Sequence, residues 1–390
     1  MFSGDLTFCV VSFSIMGAIL SAAYSLVDQL YYLLRIFAPG RPRYFKDGWG
    51  DMDTARKLAA DAVDFMASGE PGKVPWAPVV ETLAWGSDYP MKSPFAKGQR
   101  GSFRSPLHDA LPEPSKHCHF VFVYPSTMKF PLDKSSNSNL RGIVIFLPAV
   151  GEQGSGDRVE MAELLAKDSV ASIIITSPFY GIRRPPNQPM HYVRNVGDFW
   201  VQGTALMQEA ALLTCWAAET FPGARLCTSG FSWGGAMSSG TALMASQWVP
   251  QSGSTVSVAP YAGSATPAVI IDGLLEDDID WTAIGGHSDA KPKLMRVFDK
   301  AHLCTLTEAI LSNGKSTARL GDVCSVSFQH DGFIKREYSV DLFERLVGCS
   351  HTGTPCQLRW SPGGHIAAYC MKGRLQLSAI RTALRIALPT

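Results

Sequence analysis

The chain has almost no net charge, since 35 Lys and Arg residues against 34 Asp and Glu residues give a formal charge of +1 over 390 residues. It also has no long block of basic or acidic residues. Proteins that bind nucleic acid usually carry a clustered positive charge, so we expect no nucleic-acid partner. The sequence lacks an Asn-x-Ser/Thr sequon as well, which disfavours a glycosylated secreted protein.

Cysteine is present, but not in the spacing of a metal site. None of the nine cysteines forms a C-x-x-C pair, so the usual zinc-ligand pattern is absent. His117 and His119 flank Cys118, yet no third ligand is evident, and we predict no metal. The scattered spacing favours buried thiols in a reducing compartment, although Cys349 and Cys356 could pair in an oxidising one.

Charged residues are also missing from a long segment near the N-terminus, Thr7 to Val27, which is apolar or small throughout. This segment is long enough to cross a bilayer as a helix. We favour a membrane anchor over a cleaved signal peptide, which usually begins with Lys or Arg, and over a packed core helix. The basic residues that follow would place the rest of the chain on the cytosolic or an equivalent side, within the cell. They are Arg35, Arg41, Arg43 and Lys46.

The composition changes twice beyond the apolar segment. Residues 28–118 contain helix candidates at Asp28–Phe37 and Asp51–Ser68, followed by a Pro-, Gly- and Ser-rich stretch, Glu70–Pro114, that predicts a long irregular surface connection. From His119 onward, short apolar runs alternate with longer helical ones. The chain therefore divides into an apolar N-terminal extension (1–27), N-terminal helices with an irregular connection (28–118) and an α/β domain (119–390).

The alternating region predicts an α/β fold with a mostly parallel central sheet and helices on both faces, because its apolar runs are hydrophobic on both sides. In such a sheet, ligands bind beyond the carboxyl ends of the strands. The predicted strands are His119–Tyr124, Gly142–Leu147, Ala171–Thr176, Arg225–Ser229, Val256–Ala259, Val323–Phe328 and Gln357–Trp360. The predicted helices are Arg158–Lys167, Asp198–Thr220, Gly235–Gln247, Lys293–Leu311, Arg336–Val347 and Gly373–Ile386.

One pentapeptide, Gly230-Phe231-Ser232-Trp233-Gly234, lies between a predicted strand and a predicted helix. In that context a serine nucleophile occupies a tight turn whose crowded flanking positions favour glycine. The following helix points its N-terminus at the serine, which suits a developing oxyanion. The alternative is a glycine-rich turn whose serine only caps the helix. Ser232 is therefore the candidate nucleophile.

A serine nucleophile needs an imidazole to accept its proton and an acid to orient that imidazole. Where a serine occupies such a turn, the chain order is serine, acid, histidine. His365 is the candidate base because it follows the last predicted strand on a glycine loop. Asp331 is the candidate acid because it follows the strand before, and Asp272 is the alternative. Either could instead be structural, His365 as a loop residue and Asp331 as a helix cap.

Two backbone N–H groups should stabilise the oxyanion. We expect Trp233, directly after the nucleophile, to supply one of them. The other should come from the loop after Leu147. Pro148 has no N–H, so Ala149 or Val150 is the expected donor.

A further loop, Pro178–Pro185, follows the carboxyl end of another predicted strand and should overhang the site. Its residues Tyr180, Arg183 and Arg184 are therefore candidates for substrate binding. The two arginines could bind a phosphate group bidentately, or they could simply be solvated.

Several segments together resemble the α/β-hydrolase superfamily and, within it, the branch of α/β-hydrolase domain-containing protein 18. They span most of residues 119–390 and are far more specific than the pentapeptide alone. The segments are Pro178–Pro185, Asn195–Asp198 with Glu209–Ala211, Gly230–Gly235, Gln329–Ile334 and Gly363–Tyr369.

The resemblance implies an α/β-hydrolase fold with a small helical cap at about 262–320, and a serine esterase or lipase with Ser232, Asp331 and His365 as its triad. It implies a lipid ester substrate and no cofactor, and it points to phospholipid deacylation, including that of cardiolipin at mitochondrial membranes. Two positions depart from the family pattern: Ala149 replaces an expected glycine, and Gln153 an expected histidine. The rival hypotheses are a catalytically silent scaffold that binds a membrane partner, and an acyltransferase that uses the same nucleophile.

Overall fold

The computed structural model describes residues 23, 26–34, 40–68, 82–130, 140–249, 255–300, 305–308, 319–351 and 353–387. Nine strands within these ranges form one sheet in the order β1-β2-β3-β5-β4-β6-β7-β8-β9. The six strands from β5 to β9 in that order pair in parallel, and β1, β2 and β3 extend the sheet antiparallel. The mostly parallel sheet predicted from the sequence is thus confirmed. The strands are β1 Ala84–Tyr89, β2 Ala96–Arg104, β3 His117–Pro125, β4 Gly142–Leu147, β5 Val170–Ile175, β6 Arg225–Phe231, β7 Val256–Tyr261, β8 Leu320–Phe328 and β9 Cys356–Ser361.

Helices cover both faces of the sheet, and each face has its own buried apolar cluster. Helices α3 and α8 pack on one face, and helices α2, α4, α5, α6 and α7 contribute to the cluster on the other. The described helices of more than four residues are α1 (residues 26–34), α2 Met52–Ser68, α3 Gly156–Ala166, α4 Val196–Thr220, α5 Trp233–Trp248, α6 His287–Lys300, α7 Arg336–Gly348 and α8 His365–Ala383.

The central strands form because their residues suit burial on both faces. In β4 and β5 every residue is buried, and most are Val or Ile, whose branched side chains pack well on a pleated surface. Register then aligns the strand ends that matter for function. Leu147 pairs with Gly230, and Phe328 pairs with Ser361, so the loops that follow these strands meet at the carboxyl edge of the sheet.

The irregular connection predicted over Glu70–Pro114 is wrong in part. Strands β1 and β2 lie within it, and β2 pairs with β3 along its whole length, from Ala96 opposite Pro125 to Arg104 opposite His117. The proposed boundary at residue 119 therefore falls inside a strand. The pattern was missed because both strands are rich in Gly, Ser and charged residues, and β1 is largely exposed at the sheet edge.

Between β7 and β8, where the cap was expected, the described residues form short 3-10 turns at Pro267–Ile270 and Glu276–Asp278 and then α6. Most of the predicted apolar anchor, Thr7–Val27, lies outside the described residues. Among the residues that are described, none of the helices has the length and apolar character needed to cross a membrane.

The cysteines of the described chain are free thiols, including Cys349 and Cys356. Five are buried, as the sequence predicted: Cys118, Cys215, Cys227, Cys324 and Cys349. Burial raises the pKa of the Cys349 thiol to about 11. Such thiols stay protonated at neutral pH, which makes them poor nucleophiles.

Candidate active site

Ser232 occupies a strained turn between β6 and α5. Its backbone has φ 58° and ψ −117°, a region that residues other than glycine rarely enter. Close backbone packing enforces the turn: a Cβ atom at Gly230 would lie 2.4 Å from the backbone of Gly234, and one at Gly234 would lie 2.5 Å from the Leu147 carbonyl oxygen. The N–H of Ser232 donates to the carbonyl of Tyr261 at 2.9 Å. The hydroxyl is thereby presented beyond the strand end.

Ser232, His365 and Asp331 form one continuous chain of hydrogen bonds. The His365 Nε2 atom lies 3.0 Å from the Ser232 hydroxyl oxygen, and the Nδ1 atom lies 2.7 Å from an Asp331 carboxylate oxygen. The other Asp331 oxygen accepts the N–H groups of Phe333 and Ile334 at 2.9 and 2.8 Å. The imidazole is therefore oriented by an acid that is itself held in place. The structure thus brings together the three residues named from the sequence.

The His365 ring lies between two aromatic rings. Its centroid is 4.8 Å from that of Phe231 and 4.9 Å from that of Phe333. The alternative acid, Asp272, bonds elsewhere, to Lys335 at 2.6 Å and Tyr338 at 2.8 Å. His365 also opens helix α8, eight residues before the predicted helix start at Gly373. The expected flexible glycine loop therefore ends just before the histidine.

The loop that follows Leu147, called the oxyanion loop below, does not leave the Ala149 N–H free for a substrate oxygen. That N–H donates to a Glu152 carboxylate oxygen at 3.0 Å, and this carboxylate also holds Arg158 at 2.6 Å. Ala149 is therefore engaged within its own loop. Among the described residues, the N–H groups of Val150 and Trp233 donate to no protein acceptor. Both residues line the cavity over Ser232.

A cavity of about 330 Å³ lies over Ser232 and His365. Its walls are mostly apolar, as suits an acyl group or another hydrocarbon. The wall residues beyond Ser232 and His365 are Tyr31, Ala149, Val150, Phe231, Trp233, Ala236, Ser264, Thr266, Val269, Ile270, Leu275, Phe333, Ile334, Ile366 and Tyr369. A second cavity, of about 80 Å³, shares the wall formed by Trp233, Ala236 and Thr266 and lies among α2, α4 and α5.

Arg183 does not reach the site, which corrects its expected role in substrate binding. The side chain is fully buried and forms a bidentate ion pair with Glu209, with both N–O distances 2.7 Å. It also donates to the carbonyls of Thr176 at 2.7 Å and Ser115 at 2.8 Å. Burial alone would lower the pKa of Arg183, but the charge and hydrogen bonds of Glu209 raise it above the ordinary value. The guanidinium therefore stays charged and is unavailable to a phosphate.

The other two candidates in the Pro178–Pro185 loop also lie away from the described cavity wall. Tyr180 is buried, and burial raises its pKa to about 12 although hydrogen bonding to Gln202 and to the backbone of Gly151 opposes the shift. Arg184 is exposed and does not line the cavity over Ser232. The loop instead supports the oxyanion loop, because the Gly181 N–H donates to the Gln153 side chain at 3.2 Å.

Two residues of helix α1 belong to the site and were missed in the sequence. Tyr31 lines the cavity, and its ring lies 6.3 Å from that of Phe333. Asp28 is 1% exposed and accepts a hydrogen bond from the N–H of His365. In the sequence, Asp28 is a carboxylate directly after an apolar run, where a charged residue is interpreted as the end of a membrane segment.

A family model described as alpha/beta hydrolase domain containing 18 matches residues 42–309, more than two thirds of the chain. This range includes Ser232, whereas Asp331 and His365 lie beyond it.

Three solved structures are similar to this chain. A cold-adapted esterase from an Arctic intertidal metagenomic library is 13% identical, with 78% of this chain and 100% of that chain covered and a TM-score of 0.46. Acetyl xylan esterase 1 from Thermoanaerobacterium sp. JW/SL YS485 is 11% identical, with 86% and 96% covered and a TM-score of 0.49. Pyrococcus horikoshii acylaminoacyl peptidase is 10% identical, with 75% and 42% covered and a TM-score of 0.47.

Proposed function

Because the chain belongs to the family described as alpha/beta hydrolase domain containing 18, and is a hydrolase of the α/β-hydrolase type, we propose that it is a serine esterase that cleaves lipid acyl esters. The observation that carries the proposal is the unbroken hydrogen-bond chain from Asp331 through His365 to Ser232 at the floor of an apolar cavity.

The chemistry follows from what each group can donate or accept. The Ser232 hydroxyl donates to Nε2 of His365, which takes the proton as the serine oxygen attacks the ester carbonyl. Asp331 accepts from Nδ1 and stabilises the imidazolium that forms. The N–H groups of Trp233 and Val150 stabilise the oxyanion. His365 then returns its proton to the leaving alcohol, and water attacks the acyl-enzyme to release the acid.

The shape of the site supports a lipid as the substrate. The walls of the main cavity and of the smaller one beside it are largely hydrocarbon, which suits an acyl chain and not a sugar or a peptide backbone. Among lipids, the family resemblance favours a phospholipid, with a cardiolipin-type diacyl species at mitochondrial membranes as the leading candidate. Since Arg183 forms a buried ion pair with Glu209, the phosphate of such a lipid would have to be solvated or bound by other residues.

The surface beside the site supports an approach to membranes. Helix α1 carries Tyr31 into the cavity wall, while its leucines point to solvent: Leu26 is 62% exposed, Leu30 54% and Leu34 71%. An exposed apolar face of this kind marks an interaction surface. Contact of α1 with a bilayer would bring the cavity to its lipid substrate.

A fluorophosphonate probe tests the nucleophile directly, because it phosphonylates an activated serine and releases fluoride. The wild-type protein should label, and Ser232→Ala should not. Hydrolysis of a p-nitrophenyl ester should fall by about 10³-fold or more in that variant. Ser246→Ala, at the other end of helix α5, is the matched control and should keep full labelling. Equal labelling of wild type and Ser232→Ala would refute the assignment.

A further inference from the structure

The side chain of Asp28 joins the two loops that carry Asp331 and His365. One carboxylate oxygen, Oδ2, accepts the N–H of Gly332 at 3.1 Å and the N–H of His365 at 2.7 Å. The other, Oδ1, accepts the N–H of Ile366 at 2.9 Å. Asp28 is 1% exposed, so these bonds form away from bulk water, where their strength and geometry count most.

Helix α8 depends on this carboxylate for its cap. The residue before the helix is Gly364, which has no side chain to satisfy the first N–H groups of the helix. Asp28 takes that part from 337 residues away in the sequence, and its carboxylate also suits the positive end of the helix dipole. The fit is close: a Cβ atom at Gly364 would lie 2.3 Å from the Asp28 carboxylate.

The same carboxylate sets the position of the acid. Gly332, whose N–H donates to Asp28, follows Asp331 directly, and a backbone hydrogen bond from the N–H of His330 to the carbonyl of Gly363 also ties the two loops together at 3.0 Å. The Asp28 hydrogen bonds and this backbone bond together therefore fix the separation between the Asp331 carboxylate and the His365 imidazole. Small errors in such a separation are costly to catalysis, since a displacement of about 1 Å can lower the rate by about 10²-fold.

We propose that Asp28 is a positioning residue that holds the acid and base loops in register for Ser232, and thereby makes helix α1 an integral part of the catalytic site. The proposal rests on the proposed function. It accounts for the early start of helix α8 at His365. It also means that the segment bearing the exposed leucines and Tyr31 is bonded directly to the catalytic loops, so the docking of α1 and the geometry of the site are coupled.

The test compares wild type with Asp28→Ala, Asp28→Asn and the control Gln29→Ala, an exposed neighbour on the same helix. Competent sites are first counted by fluorophosphonate titration, and kcat and KM per competent site are then measured with a short-chain p-nitrophenyl ester. Asp28→Ala should lower kcat per site by about 10²-fold. KM should change little, because Asp28 does not line the cavity.

The asparagine variant makes the test specific. Its amide oxygen can replace Oδ2 and keep two bonds, but its NH₂ group faces the N–H of Ile366 and cannot accept from it. Its kcat per site should therefore lie between those of wild type and Asp28→Ala, and it decides the question if the alanine variant does not fold. Wild-type kcat per site in Asp28→Asn would overturn the proposal, as would losses confined to the number of competent sites. Failure of the wild-type protein to label would instead refute the esterase itself.

Discussion

At the scale of single residues, two neighbouring arginines of one loop lie in opposite environments. Arg183 is fully buried against Glu209, whereas Arg184 is exposed. A buried bidentate pair in which both charges are satisfied is stable as a unit. Removing one member leaves the other charge without compensation in a medium that solvates it poorly. Arg183 therefore matters to folding, and Arg184 does not.

Arg183→Met should lower the free energy of unfolding by about 3–5 kcal/mol, because it leaves the Glu209 carboxylate buried and unpaired. Urea or thermal denaturation measures the change. Arg184→Ala, the adjacent control, should stay within about 0.5 kcal/mol of wild type. If Arg183→Met kept wild-type stability and instead lost affinity for phosphorylated lipids, the arginine would be a ligand after all.

At the scale of elements, helix α2 closes the second cavity. Ala62 of α2 lines this cavity together with residues of α4 and α5 and does not line the cavity over Ser232. Trp233, Ala236 and Thr266 line both cavities. A long acyl chain that extended from the cavity over Ser232 into the second one would end against α2, whereas a short chain would not reach it.

Ala62→Phe should therefore shorten the preferred acyl chain. Loss of burial for about two methylene groups, at about 0.8 kcal/mol each, predicts a fall of about tenfold in kcat/KM for a dodecanoyl ester. The butanoyl ester should be unaffected. Ala60→Phe, on the exposed side of the same helix, is the control. Parallel losses for both chain lengths would show that the second cavity does not receive the chain.

At the scale of the whole molecule, helix α1 belongs both to the surface and to the wall of the cavity. Its residues Leu26, Leu30 and Leu34 are exposed, and Tyr31 of the same helix lines the cavity over Ser232. This arrangement suits a substrate that leaves a bilayer and enters the protein directly.

The double variant Leu30→Ser, Leu34→Ser should bind phospholipid vesicles about thirtyfold more weakly, if each leucine contributes about 1 kcal/mol through partial insertion. Cosedimentation with vesicles measures the binding. Hydrolysis of a soluble ester should not change, and Leu164→Ser on helix α3 should behave as wild type. Unchanged vesicle binding in the double variant would argue against this face as the membrane contact.

Features encoded locally could be predicted from the chain itself. The central strands are short runs of buried branched residues, and the turn at Ser232 requires small neighbours on both sides, so each leaves a pattern within a few residues. Asp331 and His365 each follow a predicted strand downstream of Ser232, so the order serine, acid, histidine selects them. For the same reason the parallel sheet was predicted, whereas the polar edge strands β1 and β2 were not.

Tertiary structure decided which polar groups meet. Asp28 accepts a hydrogen bond from His365, 337 residues away in the sequence. Arg183 forms an ion pair with Glu209 of helix α4. The N–H of Ala149 donates to Glu152 within its own loop. A polar side chain in the sequence shows only what it can donate or accept. Its partner depends on how the elements pack, since burial forces each charge to be satisfied by whichever group the fold places beside it.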